Sequence, residues 1–521
     1  MNAINSASPF NNNLFMKQLV LIILFFCAFD STSQVRFNNT YDYGRNEWQQ
    51  NLIINDQGEY VTIGWSIITN DSGATIFNKY DEFGNSIDTN LIEFLDSITV
   101  LGWAGTIKQH SITKEYFVSG AIQWYDTLVA GGGWSQLFLA KLKPNGDLSF
   151  FKVWGDTNEF YISANIEAIG SDAFIIGASV AFGIGAGYIK DFYVAKIDTS
   201  GVLIWEKRYI TPINDLLFKL FVNKENSKIY IAGGHQLSPA DNFAKPIFKI
   251  IDSSGNLLFT KEWNAPTYSS GAIVIDRQLT DTNRVDRLLV VSSLDTVVVI
   301  DSFTNHYYVN RPRISATDTN LNIIWEKNIF DSVSKVEWYN AKALKNGRII
   351  VAGAKLLVSG FDWEGWAVLL DDHGNTIWDR TYTKRQTTHY FTDVQECDDG
   401  GFIFTGTVLS SLGFPTDDAW LVKVDSLGCE VPNCTPMSVP KEVYNSSSLL
   451  VYPNPASKQL RIELINSKNS KESYYVYNAI GQFILDGELK LNQKSILDIS
   501  NLANGIYYIK CVGMSKKFVK E

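Results

Sequence analysis

The sequence predicts an all-β chain, a seven-bladed β-propeller followed by a small C-terminal antiparallel β-sandwich. Three observations carry this expectation. A short apolar run ending on a small residue recurs seven times between residues 60 and 430. A turn of the Asp-x-x-Gly kind follows the copies at spacings of 53 to 66 residues. Aromatics make up 13% and charged residues only 19% of the chain, a balance suited to pleated, half-buried strands. With 521 residues the chain exceeds one ordinary core, and regular repetition points to a repeat array.

The N-terminus comes first. Lys17 precedes the apolar run from Leu19 to Phe29, and Ser31-Thr32-Ser33 follow. A charged start, a short apolar stretch and small residues read as a signal peptide over residues 1–33, with Met16 as the true start. No later run is long enough to span a bilayer, so no transmembrane segment is expected after cleavage.

The propeller is expected over residues 34–434. Its apolar runs include Tyr60–Gly64, Tyr116–Gly120, Phe174–Gly177, Ile229–Gly233, Leu288–Ser292, Ile349–Gly353 and Phe402–Gly406. Each is followed by a variable stretch, a second run and a turn: Asp81–Gly84, Asn145–Gly146, Asp198–Gly201, Asp252–Gly255, Asp318–Asn322, Asp371–Gly374 and Asp425–Gly428. Asp or Asn supplies the local side-chain bond there and Gly the positive φ. A third run follows the turn, as in Val202–Tyr209, and there is room for one more before each Gly-ended run, giving four strands per unit. The seventh unit lacks its last strand, whereas Phe37–Gly44 reads as an outer strand with no unit of its own. Pairing the two closes the ring and removes two exposed edges. Trp154, Trp205, Trp263, Trp325 and Trp378 recur in register and are expected to pack between blades. Lys141, Lys196, Lys249 and Lys423 recur too and are expected in solvent.

Residues 435–448, rich in Pro, Ser and Lys, read as a linker, and residues 449–521 as a second domain. It opens with Tyr452-Pro453-Asn454-Pro455, continues through Tyr477-Asn478-Ala479-Ile480-Gly481 and Leu502-Ala503-Asn504-Gly505-Ile506-Tyr507, and ends on Lys516-Lys517-Phe518. These motifs, in this order, closely resemble the type A C-terminal sorting domain of the type IX secretion system of Bacteroidetes. The resemblance covers about residues 448–521 and implies export, the type IX machinery as a partner, and a secreted, extracellular or cell-surface location. On that resemblance Tyr452, Pro453, Asn454, Pro455, Gly505, Tyr507, Lys516 and Lys517 are the sorting-motif positions. Asp96-Ser97-Ile98, Asp126-Thr127-Leu128, Asp295-Thr296-Val297 and Asp331-Ser332-Val333 resemble the short acceptor of Bacteroidetes O-glycosylation.

Chemistry is sparse. The net charge of −10 argues against nucleic acid, which needs clustered Lys and Arg. Five cysteines and five histidines are scattered, so no metal site or cofactor is expected, and no catalytic set stands out. Cys429 and Cys434 are close enough for a small-loop disulfide, while Cys397 and Cys511 are expected to be buried or unpaired. The acidic pairs Asp371-Asp372, Asp398-Asp399 and Asp417-Asp418 are each expected in turns.

The variable stretches should all leave one face of the ring, which is how repeat proteins build binding surfaces. They carry His235 and Arg313, and the candidate binding residues Trp124, Trp134, Tyr308, Arg311 and Trp363. The insertion at residues 294–313 is the most distinctive. The expectation is an exported binding or structural module for an extracellular ligand, a glycan or a protein. A secreted propeller enzyme acting on polysaccharide (glycosidase or lyase) and a surface adhesin are the alternatives.

Overall fold

A computed structural model describes residues 34–69, 72–93, 97–101, 106–125, 133–182, 189–211, 214–236, 243–263, 267–268, 274–278, 287–294, 299–300, 306–307, 311–329, 335–344, 346–356, 362–411, 416–432, 434, 448–465, 471–479, 481–490, 494–511 and 514–521. The expected signal peptide (1–33) and nearly all of the expected linker lie outside these residues. The chain divides into two compact units at residues 437/438. Among the described residues no helix is long and apolar enough to cross a membrane.

The first unit is a β-propeller. Its sheets follow chain order and are built mainly of four antiparallel strands: Glu159–Ile169, Ala173–Phe182, Lys190–Asp198 and Leu203–Tyr209 in the third repeat, Lys335–Ala343, Ile349–Leu356, Trp363–Leu370 and Thr376–Tyr382 in the sixth; the fourth gains a short fifth strand, Thr267–Tyr268. The first and second repeats are fused. Ser97–Leu101 pairs with Tyr116–Tyr125 and bridges at one residue to Ser72–Tyr80, giving one nine-stranded sheet. The first strands of successive repeats touch in chain order, and that of the seventh (His389–Glu396) touches that of the first (Asn46–Ile54). Phe37–Tyr41 joins the last sheet antiparallel to Asp418–Val424, with Phe37 opposite Lys423 and Tyr41 opposite Ala419.

The recurring small residue has a steric cause. In the first, fourth, sixth and seventh repeats the first strand bulges beside it, between Gln49 and Asn51, Leu217 and Lys219, Trp338 and Asn340, and Phe391 and Asp393. The bulged backbone comes so close that a Cβ at Gly64, Gly353 or Gly406 would lie 2.3, 2.0 or 2.0 Å from the carbonyl oxygen of Trp48, Glu337 or Tyr390. The polar residue after the bulge stitches one sheet to the next. Asn51 Oδ1 accepts from the Thr106 N–H at 3.0 Å, Asn165 Nδ2 donates to the Phe218 carbonyl at 3.3 Å, Asn340 Nδ2 to Asp393 Oδ1 at 2.7 Å, and Asp393 Oδ2 accepts from the Leu52 N–H at 2.9 Å.

A second stitch lies at the outer edge. The indole N–H groups of Trp205, Trp263 and Trp378 donate to the carbonyls of Ser253, Leu321 and Ser426 in the next repeat's turn, at 3.2, 3.3 and 3.1 Å. Tyr209 and Tyr382 donate to the Gly255 and Gly428 carbonyls. In the fifth copy the left-handed turn residue is Leu321 (φ 61°), not Asn322, so a buried leucine occupies the place of glycine there. The recurring lysines are a correction. Lys249 and Lys423 are buried, and Lys141 and Lys423 reach turn carboxylates of their own sheets, Glu115 and Asp399, both at 2.8 Å. Their apolar stems fill the inter-sheet layer; the Lys141 and Lys423 ammonium groups find a carboxylate at its rim, and that of Lys249 lies over the Phe192 ring. Asp418 likewise begins a strand and lies outside any turn. Cys429 and Cys434 are disulfide-bonded with Cα atoms 5.8 Å apart, and Cys397 and Cys511 are buried thiols.

The second unit is a sandwich of a three-stranded sheet (Ser448–Tyr452, Gln459–Ile465, Lys494–Asp498) and a four-stranded one (Lys471–Asn478, Phe483–Lys490, Gly505–Cys511, Met514–Lys520). Leu460, Ile462, Val476, Ile509 and Phe518 fill its core. Asn454 ties its two ends together, donating to the Lys517 carbonyl at 3.0 Å and accepting from the Val519 N–H at 2.8 Å. Tyr507 stacks on Phe518 at 5.5 Å, and Lys516 and Lys517 stay exposed.

Candidate functional site

In an antiparallel unit the start of the first strand and the link from second to third strand share one face. Four half-buried aromatic rings gather at that end of the first, sixth and seventh repeats. Trp48 meets Trp65 edge-on at 5.1 Å and Tyr390 at 6.4 Å, and Tyr390 lies 5.8 Å from Tyr339. Their places follow from the bulge. Trp48 and Tyr390 stand three residues before the post-bulge Asn51 and Asp393, and Tyr339 directly precedes Asn340. The alternate residues Gln49, Trp338 and Phe391 are buried between sheets, so the aromatic set points away from those layers toward where the first strands meet.

Polar groups fix the rings. Trp48 Nε1 donates to Asp417 Oδ2 at 2.8 Å, and the Tyr339 hydroxyl to Glu337 Oε2 at 3.0 Å. Burial raises the hydroxyl pKa of both Tyr339 and Tyr390 well above the ordinary value, with the Glu337 charge adding to Tyr339, so both remain neutral donors. Further along the same strands, charged side chains from several repeats converge. Lys108 pairs with Glu167 at 2.9 Å and Lys342 with Asp393 at 3.2 Å. Lys219 is half-buried near them and its amine is pushed down to about 8, burial and the Lys108 and Lys342 charges outweighing Glu167 and Asp393.

A second polar group lies in the fourth repeat. Asp215 is fully buried, its Oδ1 is 2.5 Å from His235 Nδ1, and its Oδ2 accepts from the Thr211 hydroxyl at 3.2 Å. Burial raises the Asp215 pKa, and it lowers that of the neighbouring Lys249.

The candidate binding residues sit at strand ends, not within loops. Trp124 and Trp134 are cross-strand partners in the second repeat, Arg311 opens a strand opposite Leu294 in the fifth, and Trp363 opens one opposite Leu356 in the sixth. They border the variable stretches but are distributed over three sheets. Tyr308 lies outside the described residues, as do parts of all four glycosylation-like motifs. His235 and Arg313 belong to strands and are buried: the strand of His235 runs on past Gly233, and Arg313 pairs across from Ser292 on the neighbouring strand. Trp48, Trp65, Tyr339 and Tyr390 escaped the sequence reading. The usable signal, for Trp48, Tyr339 and Tyr390, was an aromatic one or three residues before a lone Asn or Asp that itself precedes the Gly-ended run; Trp65, after Gly64, carried none.

Residues 450–521 match the family model of the secretion system C-terminal sorting domain. This segment is thus a type IX sorting domain, which directs the protein out of the cell, to the extracellular space or the cell surface. No curated protein matches the chain. Among solved structures the chain is similar to the β-propeller domain of the trilobed protease from Pyrococcus furiosus at 10% identity and TM-score 0.39, over 76% of this chain and 98% of that one. It is also similar to the polysaccharide lyase Uly1 at 9% identity and TM-score 0.42, over 76% and 93%. A protein of unknown function from Dyadobacter fermentans aligns at 7% identity and TM-score 0.41, over 63% and 93%.

Proposed function

We propose that the chain is an exported carbohydrate-binding protein of a Bacteroidetes cell, with a signal peptide at residues 1–33, a seven-bladed propeller at 34–434, a linker at 435–448 and the sorting domain at 449–521. The propeller is the cargo, released or held at the surface once the sorting domain has acted. The reading rests on one observation, the cluster of Trp48, Trp65, Tyr339 and Tyr390 where three first strands meet. Pyranose rings present patches of C–H that stack on aromatic faces while their hydroxyls need nearby donors and acceptors. Glu337, Asp417 and the tyrosine hydroxyls supply these. The test is a glycan array followed by calorimetry on the best hit, with Trp48→Ala and Tyr390→Ala. Each substitution should weaken binding by about 1–3 kcal/mol, as loss of a stacking ring does. Binding unaffected by both would refute this placement of the site.

The reading as a polysaccharide-cleaving enzyme has one observation in its favour, the buried Asp215–His235 pair. A carboxylate holding one imidazole nitrogen orients the other for proton transfer. Chain shortening of a bound polysaccharide that stops with His235→Ala would establish it.

A further inference from the structure

The closing seam between the first and seventh repeats holds polar atoms that have no partner. Glu47 Oε2, both amide atoms of Gln49 and the Ser66 hydroxyl are buried without a hydrogen bond. Such atoms cost stability unless something satisfies them. At the same seam Asp42, Glu47 and Asp418 each place a carboxylate oxygen within 4.8 Å of the others. Asp42 follows the closing strand, Glu47 lies in the first strand of the first repeat, and Asp418 begins the third strand of the seventh.

The remaining contacts of this trio leave room for a ligand. Glu47 is fully buried; the Tyr43 and Arg45 N–H groups act on its carboxylate, the latter on Oε1 at 3.1 Å, and Oε2 is the orphan. Asp42 Oδ1 accepts the Gly44 N–H at 2.7 Å. Asp418 Oδ2 pairs with Arg385 at 2.9 Å, and its Oδ1 has the Thr416 hydroxyl at 3.4 Å. The Arg385 guanidinium thus pairs with one of the three carboxylates, Asp418. Burial, with Asp42 and Asp418 beside it, pushes the Glu47 carboxyl up to about 7.

We propose that Asp42, Glu47 and Asp418 hold a divalent cation, Ca²⁺, across the closure of the ring. The donors are all hard carboxylate oxygens, and one comes from an exposed connecting segment that can adjust, which suits the flexible coordination of Ca²⁺. Export places the site where millimolar Ca²⁺ is the rule. A cation there replaces mutual repulsion by a bridge between the closing strand, the first sheet and the last, and it gives the orphan oxygen a partner.

The test is calorimetric titration of CaCl₂ into the chelator-treated full chain, with thermal unfolding in parallel. The wild type should bind with a Kd of about 0.1–1 mM, the range of extracellular sites. Its melting midpoint should rise by at least about 2 °C at a Ca²⁺ excess over Kd. Glu47→Gln and Asp42→Asn should each weaken binding at least about tenfold. Asp42 is exposed in a connecting segment, so its variant keeps the question answerable if Glu47→Gln fails to fold. Asp372→Asn, in the half-exposed Asp371-Asp372-His373 group, should leave binding unchanged. Absence of Ca²⁺ binding in the wild type, unaltered binding in both seam variants, or loss of binding in Asp372→Asn would overturn the assignment.

Discussion

At the scale of single residues, the recurring glycine is set by backbone proximity. At Gly353 and Gly406 an added Cβ would sit 2.0 Å from a carbonyl oxygen of the bulged neighbouring strand, and a carbonyl in a sheet ladder has nowhere to move. Gly400 has positive φ (76°) but nothing within 4 Å of an added Cβ. The two kinds of glycine should therefore respond differently to alanine. Gly353→Ala and Gly406→Ala are expected to cost about 3 kcal/mol or more, as overpacking against fixed backbone does. Gly400→Ala should cost about 1 kcal/mol, the penalty of a left-handed residue with a Cβ. Thermal melts of the three variants check this, and equal losses would show that the clash is relieved by strand movement.

At the scale of elements, the Asp-x-x-Gly turns are held by ionised aspartates. In Asp81, Asp198, Asp252, Asp318 and Asp371 one carboxylate oxygen accepts N–H groups two and four residues on, as in Ser200 and Val202 onto Asp198 at 2.8 Å each. These bonds favour the charged form and carry all five below the ordinary 3.8. A carboxyl whose folded pKa is depressed adds stability above its unfolded pKa and loses it as pH falls through the folded value. The propeller should hence lose stability from about pH 4 downward. Asp198→Asn should flatten part of that slope while leaving a side-chain acceptor for the turn; an unchanged slope in melts between pH 5 and 2 would assign the acid sensitivity elsewhere. These turns were legible in the sequence because Asp and Gly act through neighbours two to four residues away. The bulges were not, since Asn51, Asn340 and Asp393 make their bonds to the next sheet, beyond any local pattern. The aromatic cluster stayed hidden for the same reason, its rings coming from repeats at opposite ends of the chain.

For the propeller as a whole, closure was legible from an unpaired strand at one end and a missing one at the other, and the contacts explain why the exchange works. Phe37 and Tyr41 stand four residues apart, as do Trp378 and Tyr382. Tyr41 donates to the Gly84 carbonyl at 2.5 Å as Tyr382 does to Gly428 at 3.0 Å, and the Phe37 ring covers Gly84 as the Trp378 ring covers Gly428. The N-terminal strand thus acts as the seventh repeat's outer strand and clasps the first repeat's turn. Deleting residues 34–41 removes both roles at once, leaving Asp418–Val424 as a bare edge and the Gly84 turn unclasped. Hydrogen exchange should then quicken in the first and seventh repeats while the fourth, whose neighbours are intact, keeps its protection. Tyr41→Phe, which removes one hydrogen bond and leaves the strand, should cost only about 1 kcal/mol. If deletion instead raises exchange equally in every repeat, the sheets melt as one cooperative body and the closing strand is needed for folding of the whole ring; if it changes none, the closure has no energetic weight.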